Sequence, residues 1–372
     1  MTNIALTLII FISGLYFILI SAFTIGWLKL PTPKQLPKSS KTKFSILIPF
    51  RNEAHNLGFL LDGLLQLNYP KSLFEIIFID DQSEDNSEDI VSSFIQKNLL
   101  SWKIIQSKGS KKKALMQGIH EANNPYILSL DADVLMTPFL LQAYDNALQI
   151  NATKMIAGPV IFTSPNSIWN SFVDLEFMSL VASGAGAMGI NMPIMVNGAN
   201  LLFEKEIAIE ALQDVYQQDI ASGDDIFLML YISKHYGSNQ IQYLKSKQAI
   251  IKTPAPENPK AWLNQRLRWT SKAKHYEVNY TSITALVILI FNLLIFLSFI
   301  SIPFTDNGLK LAIGLVIFKF IIDFPLLVSA ANFFEKHHLL RFVIFSEFLY
   351  CFYIVFVGTF GHFSHTKWKG RF

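Results

Sequence analysis

The chain of 372 residues holds a single cysteine, Cys351, inside an apolar stretch, so neither a disulfide framework nor a cysteine-based metal site is available. Any metal must be held by oxygen or imidazole. Charged residues make up only 16% of the chain against 51% hydrophobic residues and 32 Phe, and mean hydropathy is +0.34. This composition excludes an ordinary soluble enzyme and places the chain in a membrane. No G-x-x-x-x-G-K-[ST] occurs, and no G-x-G-x-x-G follows a strand-like run, so the P-loop and dinucleotide versions of a nucleotide fold lack their phosphate-binding glycines. There is no internal repeat, no low-complexity linker and no basic stripe interleaved with aromatics. The net charge of +3 therefore speaks of topology and not of a nucleic-acid partner.

Four apolar stretches carry the membrane reading: roughly Ile4 to Leu28, Thr281 to Pro303, Leu311 to Ala330 and Phe342 to Phe360. Each is close to the ~20 residues needed to cross hydrocarbon. The first has no basic residue before it and exceeds a signal core in length, so residues 1–30 are expected to be a retained anchor. Lys29, Lys34, Lys38, Lys41 and Lys43 follow, and short basic flanks stay on the cytoplasmic side, so the middle of the chain is expected to be cytoplasmic. Three later spans over 281–360 then carry the tail 361–372 outside, against the preference of Lys367, Lys369 and Arg371. Either the tail violates the rule or one stretch lies in the interface or re-enters. Lys319 and Asp323, four apart, and Glu347 are ionisable groups at depth, open to a functional role or to structural pairing.

Residues 43–257 read as one α/β domain. Phe44–Pro49, Phe74–Ile79 and Tyr126–Leu130 are short runs ending at Pro or before Asp, as buried parallel strands do. Glu53–Leu67 and Asn86–Gln96 have helical apolar spacing between them, so a mostly parallel sheet flanked by helices is expected. Ala261 to Lys274, within an interface segment 258–280, reads as an amphipathic helix that sets Gln265, Arg268 and Trp269 on one face.

Acids punctuate this pattern. Asp80-Asp81-Gln-Ser83 and Asp131-Ala-Asp133 each follow a strand, so they converge at the carboxyl edge where open α/β sheets bind ligands. Two Asp at alternate positions can share a hard divalent cation with substrate phosphates, or simply cap a turn. Asp224-Asp225 precedes an apolar stretch, where an acid serves either as a base or as a helix cap. The Gln265-Arg266-Leu267-Arg268-Trp269 segment reads as an anion clamp or as a Trp/Arg interfacial anchor. Ser167 to Ile190 is either an interface helix or core.

Taken together, Pro49-Phe-Arg-Asn52-Glu53, the D-D-x-S, the D-x-D, Gly223-Asp224-Asp225 and Q-x-x-R-W resemble the membrane-bound family 2 glycosyltransferases with a GT-A fold. That group includes ceramide glucosyltransferase and the hyaluronan, chitin, cellulose and poly-N-acetylglucosamine synthases. The resemblance implies a nucleotide-sugar donor, a lipid or glycan acceptor, and Mg2+ or Mn2+. It implies that Pro49, Asn52, Glu53, Asp80 and Asp81 line the donor pocket, that Lys111 approaches the nucleotide, and that Asp131 and Asp133 hold metal and diphosphate. Gln265 and Arg268 would clamp the diphosphate and Asp225 would be the catalytic base. Asp224, Trp269 and the Gly198 loop of Val196-Asn-Gly-Ala-Asn200 would face the acceptor.

The expected function is transfer of a sugar, from a UDP-sugar first, with inversion to a hydroxyl of a lipid or lipid-linked acceptor. A processive polysaccharide synthase is the second reading, although three spans leave little material for a channel unless the chain oligomerises. A non-catalytic nucleotide-sugar-binding subunit is the third, and no acidic motif has been lost to favour it.

Overall fold

A computed structural model of the chain describes residues 3–33, 39–98, 102–107, 109, 111–165, 167–214, 224–271 and 279–361. Four strands start the α/β domain: β1 (Phe44–Phe50), β2 (Phe74–Asp80), β3 (Lys103–Gln106) and β4 (Tyr126–Leu130). Between them run α2 (Ala54–Leu65), α3 (Ser87–Asn98) and α4 (Lys111–Glu121), each crossing over so that successive strands lie parallel. Every residue of β1 is buried, which is why the run is apolar but for Ser45, whose hydroxyl donates to Glu75, and does not alternate. The chain goes on through α5 (Leu140–Ile150), β5 (Met155–Ala157), β6 (Val160–Thr163), α6 (Ile168–Gly189), β7 (Asn200–Glu204), α7 (Lys205–Asp214), α8 (Asp224–His235), β8 (Ile241–Tyr243) and β9 (Ile251–Pro254).

The main sheet has the order β3-β2-β1-β4-β7-β5-β8, with β6 and β9 paired beside it. From β1 the chain first builds outward to β2 and β3, then returns to β4 on β1's other side. The β1/β4 boundary is therefore a topological switch point, where helices diverge and leave a crevice beyond the strand ends. Pro49 closes β1 and Asp131 follows β4, so both motifs meet at this boundary. The sheet is mixed: β7 is antiparallel to both β4 and β5. Asn200 pairs with Leu130, so β7 enters at the cleft end of β4 and must run away from it.

Helix α6 starts at Ser167, whose hydroxyl accepts from Asn170 N, and becomes the platform between domain and apolar helices. Its end does spell G-x-G-x-x-G, at Gly184, Gly186 and Gly189, but these glycines finish a helix and serve packing. A Cβ at Gly186 would lie 2.2 Å from Phe23 O, and one at Gly189 2.2 Å from Gly26 O, both on α1 (Asn3–Lys29). Small residues let two backbones approach where lipid offers no hydrophobic drive between helices.

Beyond α9 (Pro259–Thr270) come α10 (Tyr280–Ile300), α11 (Gly308–Phe334) and α12 (Val343–Phe360). Together with α1 they give four helices long and apolar enough to cross a membrane, counting the His337–Phe342 turn with α12. Lys319 of α11 pairs with both Asp323 and Glu347, and Tyr16 of α1 donates to Asp323 at 2.7 Å, so this cluster ties three helices together. Lys336, just past α11, reaches the α/β domain through Phe162 O and Asp174. Gly361, the C-cap of α12, lies against Thr270 of α9. Of the expected basic flanks, Lys34, Lys38 and the tail beyond Gly361 lie outside the described residues.

Gly186→Val should overpack the α1/α6 contact at a cost of about 2 kcal/mol. The check is the thermal midpoint of the detergent-solubilised protein, and an unchanged Tm would mean that this contact is not a close one.

Candidate active site

A cleft of about 290 Å3 opens at the switch point. Pro49 and Glu53 reach it from the end of β1, Asp131 and Asp133 from the end of β4, and Asp224 and Asp225 from the first turn of α8. Gly198 enters from the loop before β7, and Gln265, Arg268 and Trp269 descend from α9. The three α9 residues thus share the face that their spacing requires, while Arg266 points elsewhere.

Asp225 is held at both oxygens. Gly198 N donates to Oδ2 at 3.0 Å and Ile226 N donates to Oδ1 at 2.9 Å. One oxygen serves the helix start, as a cap would, and the other is fixed by the loop that was expected to face the acceptor. Gly198 acts here by proximity: a Cβ would meet Asp225 Oδ2 at 3.4 Å. The last residue of that loop, Asn200, is structural, its amide donating to Pro159 O and Ala249 O while its Oδ1 accepts from Tyr144.

Burial pulls the Arg268 guanidinium below its ordinary value, and the fields of Asp131 and Asp225 push it back up. A single cation therefore lies in electrostatic reach of the acid after β4 and of the acid on α8.

Three expected donor contacts are not brought to the cleft: Asn52, Asp80 and Asp81 are absent from its lining. Asp80 is buried at the end of β2 and accepts from Ser83 N at 3.0 Å, closing its own turn, and Asp81 is buried beside it. Asn52, in the left-handed region at φ 53, uses Oδ1 to accept from Glu84 N at 2.8 Å. Glu53 N and Ala54 N, the open amides at the start of α2, are capped from the same loop by Ser87 and Asp85. D-D-x-S thus clasps the chain that carries Pro49 and Glu53. Lys111 opens α4, but its side chain lies outside the described residues, as does Gly223.

Two residues that the motif pattern left out support the site. Arg266, at 2% exposure, pairs with Glu176 of α6 at 4% exposure. Arg266 also donates to Gln265 Oε1 at 2.5 Å and lies 4.4 Å from the Trp269 ring centroid. Tyr353 of α12 donates to Glu176 at 3.3 Å. The available signal was an acid, Glu176, inside an apolar helix, together with an Arg at a free position of the motif.

Asp131 and Asp133 both line the cleft, and among the described residues no group of three or more His, Cys, Asp or Glu is arranged to hold a metal. Two hard carboxylates fit Mg2+ or Mn2+, which complete their shells with substrate phosphates and water.

A switch-point cleft with acids after β4 and on α8, roofed by a Q-x-x-R-W helix and joined to apolar helices, defines a GT-A glycosyltransferase of the membrane type. The chain belongs to glycosyl transferase family group 2, whose profile matches residues 126–357, and the profile of glycosyl transferase family 2 matches residues 45–202. "Probable glycosyltransferase YdaM" of Bacillus subtilis (strain 168) is 26% identical over 245 residues, 63% of this chain and 55% of its own length. A poly-beta-1,6-N-acetyl-D-glucosamine synthase of Staphylococcus epidermidis is 26% identical over 237 residues, 60% of this chain and 53% of its own. The chain spans about half the length of these relatives. A mannosyltransferase from Pyrobaculum calidifontis, solved in complex with GDP-Man and Mn2+, shares the fold with a TM-score of 0.58 at 15% identity, covering 96% of this chain and 97% of that one.

Glu176→Gln, which leaves Arg266 buried without its counter-charge, should cost about 3 kcal/mol or more in chemical denaturation. The pair Glu176→Leu with Arg266→Met should recover most of that stability. Its transfer rate should nevertheless fall on the order of 10-fold to 100-fold, because Gln265 and Trp269 lose their positioning. A double variant as unstable as the single one would contradict the pairing.

Proposed function

We propose that this glycosyltransferase is an integral membrane enzyme with its catalytic domain on the cytoplasmic side, moving a sugar from a nucleotide diphosphate sugar to a hydroxyl of a lipid or lipid-linked acceptor with inversion. The observation that carries the reading is the convergence of Asp131, Asp133, Asp225, Gln265 and Arg268 on one cleft. Glu53, Asp131, Asp133, Asp224 and Asp225 outnumber Arg51 and Arg268 along its walls, so an anionic donor needs a counter-charge there. Asp131 and Asp133 would hold Mg2+ or Mn2+, which when bound supplies that charge to the diphosphate. The fold neighbour solved with GDP-Man and Mn2+ supports a donor of this class.

In this reading Arg268 and Gln265 hold the diphosphate and Pro49 and Glu53 border the donor. Asp225, fixed by Gly198 N, takes the proton of the acceptor hydroxyl as its oxygen bonds to the anomeric carbon. The bond from that carbon to the diphosphate oxygen breaks, and the nucleoside diphosphate leaves with the electron pair. Attack and departure on opposite faces invert the anomeric centre.

A processive polysaccharide synthase remains a second reading, favoured by the name of the staphylococcal relatives. Release of nucleotide from a panel of UDP- and GDP-sugars, by the purified protein in lipid with Mg2+ or Mn2+, tests the class, and sizing the product separates one glycolipid from a polymer ladder. Asp225→Asn should lower transfer by about 10²-fold to 10⁴-fold with nucleotide affinity retained; near wild-type transfer would remove Asp225 as the base. Asp133→Ala should abolish the dependence of donor binding on added metal, and donor binding that keeps its full dependence would show that the metal lies elsewhere.

A further inference from the structure

A second chamber of about 150 Å3 lies behind the catalytic cleft and shares Phe177, Asn197, Asp225 and Trp269 with it. Its remaining walls are apolar almost throughout, including Val160, Val181, Ala185, Met188, Met195 and Val196. Tyr243 completes the lining, and its buried hydroxyl has no hydrogen-bond partner among the described residues. Val181, Ala185 and Met188 belong to α6, and Gly186 on the same helix lies against Phe23 of α1, so a single helix separates the chamber from an apolar helix long enough to span a membrane.

Resting on the transferase reading above, we propose that this chamber binds the hydrocarbon stem that bears the accepting hydroxyl. The acceptor is then an amphiphilic alcohol and not the hydroxyl-covered end of a glycan. An apolar cavity of this size takes about six carbon atoms. A stem seated between Val181, Ala185 and Met195 presents its terminal oxygen at the shared wall, beside Asp225 and under Trp269. A glycan in the same place would set several hydroxyls against side chains that neither donate nor accept, and such groups are poorly tolerated when left unpaired. The unpartnered Tyr243 hydroxyl would donate to an acceptor oxygen along the stem, which an ester or amide of an acylated alcohol provides and a plain alkanol does not.

The test uses the full chain in lipid nanodiscs with the best donor from the panel. It compares 1,2-dioctanoylglycerol, n-decanol and a β-linked N-acetylglucosamine tetramer as acceptors. Transfer should favour the two hydrocarbon-borne alcohols, the glycerolipid most, and Tyr243→Phe should erase the glycerolipid's advantage over decanol. Ala185→Leu fills the chamber and should lower kcat/KM for both alcohols by at least about tenfold while nucleotide affinity is kept. Met195→Ala, which enlarges the chamber, should shift preference toward bulkier alcohols and decides the matter if Ala185→Leu fails to fold. Efficient transfer to the tetramer alone, with selectivity unmoved by Ala185→Leu or Met195→Ala, would overturn the chamber assignment and leave the transferase reading standing. Absence of nucleotide release with every donor and acceptor would instead sink the transferase reading, and the chamber assignment with it.

Discussion

Arg266 and Glu176 sit at the junction of α6, α9 and α12, and the orientation of the cleft roof follows from their pairing. Helix α9 carries polar and aromatic groups on more than one side, so burial alone does not set its rotation. The guanidinium is useful here because it is directional: it meets Glu176 through both Nε and Nη2 while Nη1 holds Gln265. With Arg266 turned inward, residues 265, 268 and 269 face the cleft by helical periodicity. A buried ion pair gains little net stability, because desolvation opposes its Coulomb attraction, but it penalises every other rotation of α9 by leaving two charges unmatched.

The same logic of fixed charge explains the D-D-x-S loop. Asp80 Oδ1 accepts from Ser83 N, Asn52 Oδ1 accepts from Glu84 N, and Arg51 reaches Glu84 at 3.0 Å. This interlocked turn holds the end of β1 against the end of β2, so that Pro49 and Glu53 have a defined place at the cleft mouth.

Much of this was legible in the sequence because it is local. The runs Phe44–Pro49, Phe74–Ile79 and Tyr126–Leu130 match β1, β2 and β4 to within a residue, since buried parallel strands are written as mostly apolar, non-alternating runs. The shared face of Gln265, Arg268 and Trp269 needs only helical spacing. The direction of β7 was not legible, since it depends on which end of β4 the chain reaches after α6, and no short-range pattern encodes that. Nor was the partner of Arg266, which lies 90 residues away in sequence. The glycines at 184, 186 and 189 carry a pattern associated with phosphate loops, yet Gly186 and Gly189 face the backbone of α1 and Gly184 faces Met195, so the pattern acquires meaning only from the element that holds it.

The last helix ties the apolar helices back to the catalytic domain. The chain leaves α11 with Lys336 bonded to Phe162 O and Asp174 of the catalytic domain, and the His337–Phe342 turn packs on α6. At its other end α12 brings Gly361 against Thr270 of α9. Between these ends α12 packs on α10, Phe348 and Phe352 lying against Phe296 and Phe299. Its outward stripe, with Phe345, Phe348, Phe352, Phe356 and Phe360 exposed, suits a helix lodged in hydrocarbon on one side and braced on the domain by Tyr353 on the other.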